Sequence, residues 1–282
     1  MAAKTRKHFS ISQIILVLVV IFFAVLTLFP IYVMLVKSFK FPKQDVLNPF
    51  GLSFPVRWAN YSEAWGYVDG TLLNTFIIAT GTTLGVLLVC GAAAYGFSFF
   101  RMPGKNIIFM FFLAILMIPG VLTLIPQYQL VGVDYGMMDT FWGVILPTVA
   151  GSVPMGTFLI KTFFDGLPRD VFEAGEMDGA NRFVMFFVVA LPLAMPILAT
   201  QGLMTFMGAY NDYLWPSLIL KKENLKTTSV ILKNLTNTLF TETNSMCVSI
   251  AGYVIASLPM FIIFACCSKQ FVKGLTSGSF KM

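Results

Sequence analysis

The side chains that could do chemistry are few and unevenly placed. Among 282 residues there are 19 Lys and Arg, 13 Asp and Glu, four Cys and a single His. Their densest cluster is Lys161–Arg182, KTFFDGLPRDVFEAGEMDGANR, where five carboxylates and three cations share one short stretch. Charged groups crowded onto a polar segment suit charge-assisted pairing with a partner. His8 stands alone at the edge of an apolar run, and Cys90, Cys247, Cys266 and Cys267 lack metal-ligand spacing. No GxxxxGK[ST] phosphate loop occurs, so ATP hydrolysis by that route is ruled out for this chain. The expectation is docking, with no catalytic residue, no metal and no cofactor of its own.

Local signals say how the cluster is held. Leu167-Pro168 opens a short helix, because proline suits the first turn and Asp170 puts negative charge near the helix N-terminus. The helix is expected to run through Val171, Phe172, Glu173, Ala174, Gly175 and Met177, and Gly179 to end it in the left-handed conformation. Asn181 is placed to cap the helix that follows. The result is a helix–turn–helix elbow. Ala174, Gly175 and Asp178 fall on one helical face, small enough for a partner to approach the backbone. A plainer reading is an amphipathic connector resting on a membrane. It accounts for the amphipathicity but not for the small face, the glycine break and Glu173 together.

The elements that position this elbow are apolar. The chain is 57% hydrophobic and only 11% charged, against roughly 25% charged for a soluble domain, so its main solvent is lipid. Six stretches carry no Lys, Arg, Asp or Glu: His8–Val36, Gly70–Phe100, Asn106–Val133, Thr140–Ile160, Phe183–Asn211 and Thr243–Ser268. Each is long enough for a helix of roughly 20 residues to cross the hydrocarbon core. Lipid leaves no other option, because an open sheet edge would strand unpaired backbone groups. Spans are expected at about 11–36, 71–100, 106–131, 140–162, 184–211 and 246–268, with the elbow in the loop at 163–182. Tails occupy 1–10 and 269–282, and the transmembrane domain covers 11–268. The first stretch exceeds the apolar core of a cleaved signal peptide and reads as a retained span.

Charge gives the orientation. With the N-terminus inside, the inner segments hold 11 Lys and Arg and five carboxylates, and the outer loops hold eight of each. The excess of positive charge is then all on the inside, which puts both termini and the elbow in the cytoplasm of a multi-pass cell-membrane protein. Basic loops beside an anionic leaflet account for the pI near 9.1 without a nucleic-acid partner. No ionisable residue lies deep in a span, which disfavours proton-driven transport. Polar groups in or near spans are Asn74, Gln201, Tyr210 and Asn211; they are candidates for a substrate pathway, although such groups more often bond a neighbouring helix. Gly81–Gly85 and Gly91–Gly96 predict close helix packing.

The elbow resembles the EAA motif of ABC importer permeases, EAA-x3-G-x9-I-x-LP. Here it is Glu173-Ala174-Gly175, three residues, Gly179, nine residues, Val189, one residue, then Leu191-Pro192. Gly replaces the second Ala and Val replaces Ile. Tyr210-Asn211-Asp212-Tyr213-Leu214-Trp215-Pro216 is similar to the NxYLWP stretch of carbohydrate importer permeases of the MalG-like class. Leu124-Ile125-Pro126 and the ending Gln270-Phe271-Val272-Lys273-Gly274-Leu275…Gly278-Ser279-Phe280-Lys281 are similar to elements of the same class.

The resemblance implies an all-α membrane protein of six transmembrane helices with the type I importer permease (MetI-like) fold. It also implies cytoplasmic coupling helices that seat in an ATPase subunit. Glu173, Ala174, Gly175, Asp178, Gly179, Ala180, Leu191 and Pro192 would be the coupling residues. The implied partners are a second, MalF-like permease, two ATPase subunits that use ATP and Mg, an extracytoplasmic solute-binding protein and a sugar or related polyol or glycerol phosphate compound. Two other readings stay open on sequence: a stand-alone sodium-coupled or facilitative carrier, and a membrane scaffold recruiting a soluble partner.

Overall fold

The computed structural model describes residues 11–243 and 246–277. The expected N-terminal tail 1–10 and the last five residues of the expected C-terminal tail lie outside them. In chain order the helices are α1 (Ile11–Ser38), α2 (Pro42–Leu47), α3 (Ala59–Val68), α4 (Thr71–Phe99) and α5 (Lys105–Ile115). They continue as α6 (Gly120–Tyr128, prolonged by a π-helical turn Gln129–Asp134), α7 (Trp142–Phe164), α8 (Arg169–Met177) and α9 (Arg182–Leu193). The last four are α10 (Met195–Asn211), α11 (Leu214–Ile219), α12 (Thr228–Thr243) and α13 (Cys247–Ser277). There is no strand among the described residues.

The helices long and apolar enough to cross a membrane are α1, α4, α7 and the Cys247–Ser268 part of α13. Two bent pairs raise the number to six: Lys105–Ile115 with Gly120–Asp134, and Arg182–Leu193 with Met195–Asn211. The third and fifth spans, expected to be continuous, are therefore broken, by 89° and 77°. Proline is the physical reason. Pro119 stands at the first break, and Pro192 and Pro196 flank Ala194 at the second; each lacks the N–H that would carry the ladder through.

The chain divides into two compact units. One comprises the residues up to Tyr67 with Leu235–Ile255. In it α1 exposes apolar side chains along nearly its whole length and leads into a polar clamp. The Asn60 amide donates to the carbonyls of Ser38 and Lys40, both at 2.9 Å, and Arg57 donates to Asn60 Oδ1 at 2.8 Å. Lys37 pairs with Asp45 at 3.0 Å. The buried Lys40 ammonium donates to the Asn48 carbonyl, and burial lowers its pKa. Such buried donors are tolerated because each has an acceptor.

The other unit comprises Val68–Asn234 with the residues from Ala256 onward. Here α4 packs against α7 and α10. The small residues of α4 make the approach possible: a Cβ on Gly85 would lie 2.7 Å from Val149 Cγ2, and one on Gly81 would lie 2.9 Å from Ile145 Cδ1. At one end of α7 a second set of contacts joins it to α11. Trp215 Nε1 donates to the Gly143 carbonyl at 3.1 Å. Asp139, at φ 55°, accepts the Lys221 and Lys222 N–H groups at 2.6 and 2.9 Å and donates its own N–H to Ile219 O at 3.0 Å. The Lys222 N–H, then that of Lys221, holds the Asp139 carboxyl below the usual carboxylate range.

Candidate functional site

At the other end of α7 the polar cluster forms an elbow. Pro168, at φ −60° and ψ 125°, precedes α8, and Asp170 lies in its first turn. Gly179 ends it at φ 79°, the left-handed geometry that favours glycine. The freed carbonyls are met locally: Ala180 N donates to Gly175 O at 3.0 Å, and Asp178 N to Ala174 O at 3.0 Å. Asn181 Oδ1 accepts the Val184 N–H at 2.9 Å, capping α9. Helix, stop and cap thus lie where the local residue signals put them.

A nine-residue helix has little stability alone, so its seat matters. Phe172 is the one buried residue of α8 among those described, and its ring lies 4.1 Å from that of Phe99 on α4. Phe99 belongs to an aromatic cluster around Tyr95. The Tyr95 ring lies 5.1 Å from Phe99, 5.6 Å from Phe100, 6.4 Å from Phe164 on α7 and 5.1 Å from Phe186 on α9. Ring pairs at such separations add about 0.5–1.5 kcal/mol beyond the area they bury. Tyr95 Oη also donates to the Arg182 carbonyl at 3.5 Å, and the Arg182 guanidinium lies 4.6 Å over the Phe100 ring. Through this cluster α8 is fastened at once to α4, α7 and α9.

Against that frame Glu173, Ala174, Asp178 and Gly179 are exposed. Gly175 is not open. A Cβ there would lie 2.5 Å from Met185 Sδ, so its smallness admits a side chain of this same chain. The small face expected to receive a partner is thus reduced to Ala174 and Asp178. Ala180 is half-buried against the aromatic cluster. Leu191 and Pro192 do not join the elbow; they sit at the far end of α9, beside the break.

Each of the four polar pathway candidates has a hydrogen-bond partner within this chain. The Asn74 amide donates to the carbonyls of Asn224 and Lys226 at 2.9 and 3.2 Å, tying down a loop. Tyr210 is buried and donates to the Ala256 carbonyl at 2.8 Å. Gln201 is buried and donates to Thr205 Oγ1 at 3.2 Å. Asn211 is exposed, its amide bonded to Met207 O of its own helix at 2.9 Å. Each of these donors is committed to helix or loop packing. Sequence reasoning missed the aromatic cluster and the Trp215–Gly143–Asp139 contacts. The first had a readable signal, the i, i+4 pair Tyr95 and Phe99; the second joins positions 72 residues or more apart and had none.

Comparison with known proteins gives this geometry a context. Residues 81–276 match the family described as binding-protein-dependent transport system inner membrane component. The chain is 30% identical over 284 residues to the arabinooligosaccharides transport system permease protein AraQ of Bacillus subtilis (strain 168), covering 97% of this chain and 98% of that protein. It is 31% identical over 263 residues to the sn-glycerol-3-phosphate transport system permease protein UgpE of Pectobacterium atrosepticum, covering 89% and 91%. In fold it is similar to a chain of a bacterial ABC transporter involved in the import of the acidic polysaccharide alginate. That match has a TM-score of 0.79 at 22% identity and covers 94% of this chain and 100% of that one.

Proposed function

The chain belongs to the binding-protein-dependent transport system inner membrane components, and we propose on that premise that it is one of two permease subunits of an ATP-driven sugar importer. It forms half of a translocation pathway in a bacterial cell membrane, beside a second, MalF-like permease. An extracytoplasmic binding protein delivers the solute and two ATPase subunits drive the cycle. ATP and Mg are used by those subunits; this chain takes no cofactor and catalyses no reaction. The N- and C-termini and the elbow face the cytoplasm, as the distribution of Lys and Arg favours. The names of the relatives support a di- or oligosaccharide, or a related polyol or glycerol phosphate compound, as cargo.

The observation that carries this reading is the seating of α8. An exposed Glu173 stands next to Phe172, which is locked into an aromatic cluster shared by three long helices. A force applied to α8 by a closing ATPase dimer would therefore reach α4, α7 and α9 together, because a packed core moves as a body. In this role Glu173 pairs with a cation of the ATPase subunit, while Ala174, Gly175, Asp178, Gly179 and Ala180 shape the elbow. The test is Glu173→Lys in the assembled transporter. ATP-driven uptake should fall to background and the ATPase subunit should co-purify weakly. Undiminished uptake with full assembly would refute the docking role.

A further inference from the structure

Beside the elbow lies a cavity of about 500 Å³, between the end of α4, the 101–105 loop, α8 and the start of α9. Four cations line it, Arg101, Lys105, Arg169 and Arg182, and they face the carboxylates of Glu173 and Glu176. Two of the cations are engaged within the chain: Lys105 Nζ donates to Phe97 O at 3.2 Å, and Arg182 lies over Phe100. Neither Arg101 nor Arg169 has an ion pair among the described residues, and both are exposed. The Ser98 hydroxyl, also in the lining, is buried without a hydrogen-bond partner. The cavity thus holds an excess of two positive charges and an idle hydroxyl donor, and it lacks an anion to match them.

Its place in the fold narrows the anion. Lys105 is the first residue of α5, and α5 buries none of its side chains. Ile107, Ile108 and Phe111 are 62%, 48% and 68% exposed. A charged hollow therefore opens at the foot of an uncovered apolar helix, at the level where α4 ends and α5 begins. That is the amphipathic profile of a phospholipid, acyl chains on one side and phosphate on the other.

We propose that this cavity binds the phosphate of an anionic phospholipid headgroup, with the acyl chains lying along α5. Arg101 and Arg169 supply the main attraction and the Ser98 hydroxyl a neutral donor. The proposal takes from the transport reading only the side of the membrane on which the cavity lies, the anionic leaflet. Headgroup binding would brace α8 on its cavity side, while Ala174 and Asp178, outside the lining and exposed, remain open to a partner.

The test uses the complete transporter in vesicles of equal phosphatidylglycerol and phosphatidylcholine, with native mass spectrometry counting the lipid retained after extraction. Wild type should keep phosphatidylglycerol selectively. Arg101→Gln and Arg169→Gln should each weaken retention roughly fivefold, and the double variant roughly 25-fold. Lys222→Gln, at the opposite end of α7, should leave retention unchanged. Equal retention of the two lipids, or undiminished phosphatidylglycerol on the double variant, overturns the proposal. Displacement by inorganic phosphate with no lipid preference overturns the lipid assignment in favour of a free anion. Loss of the ATPase subunit from the double variant with lipid retained assigns the arginines to the subunit interface and overturns it as well. Lipid retention is read whether or not uptake is driven by ATP, so failure here is distinct from failure of the transport reading.

Discussion

Replacing Phe172 by Ala should release the elbow from its seat. Phe172 is 7% exposed and stacks at 4.1 Å on Phe99, with an interplanar angle of 30°. Truncating a buried Phe to Ala costs about 3–5 kcal/mol, part of it for the cavity left behind. Taking about 3 kcal/mol shifts the balance between seated and released α8 by roughly 100-fold. Gly175 against Met185, and the half-buried Leu167 and Ala180, remain as contacts, but none buries a side chain as large as Phe172. The assay is amide hydrogen exchange across 173–180 in the purified protein. Protection there should drop roughly 100-fold, while amides in the middle of α7 keep theirs. Glu173→Ala, at an exposed position beside it, should leave the exchange unchanged. If Phe172→Ala exchanges like wild type across 173–180, the aromatic seat is not what holds the helix and the lever argument fails with it.

Gly143→Ala places a Cβ 2.4 Å from the Met137 carbonyl oxygen and 3.0 Å from Ile219 Cγ2. Backbone must shift, so a loss of about 1–3 kcal/mol is expected, read as a lower thermal midpoint in detergent. Asn181→Ala removes the acceptor for Val184 N–H and should cost about 1 kcal/mol, seen as faster exchange at the start of α9; Asn181→Asp should restore it. The depressed Asp139 carboxyl contributes stability above its unfolded value of about 3.9, which is lost as pH falls through the lower folded value. Asp139→Asn should therefore flatten the acid limb of the thermal midpoint against pH; an unaltered limb would mean the carboxylate is not what titrates.

Features that depend on neighbours in sequence were legible in the sequence alone. Charge-free runs dictate membrane helices because lipid allows no unpaired backbone. Pro168, Gly179 and Asn181 start, stop and restart the elbow because capping and left-handed backbone are decided within a turn. Even the angles of 89° and 77° had their prolines in view, though proline announces a missing hydrogen bond and says nothing of how far the chain then swings. Features that join distant positions were decided only by the tertiary structure. Gly175 looks like a surface left small for a partner until Met185 is found over it. That the Asn74 amide bonds to Asn224 and Lys226, and the Tyr210 hydroxyl to Ala256, could not be read from their positions in sequence. Arg101 and Arg169 lie 68 positions apart in the sequence, yet the folded chain brings both to one cavity. A side chain's type says which bonds it can make; the fold decides which partner arrives.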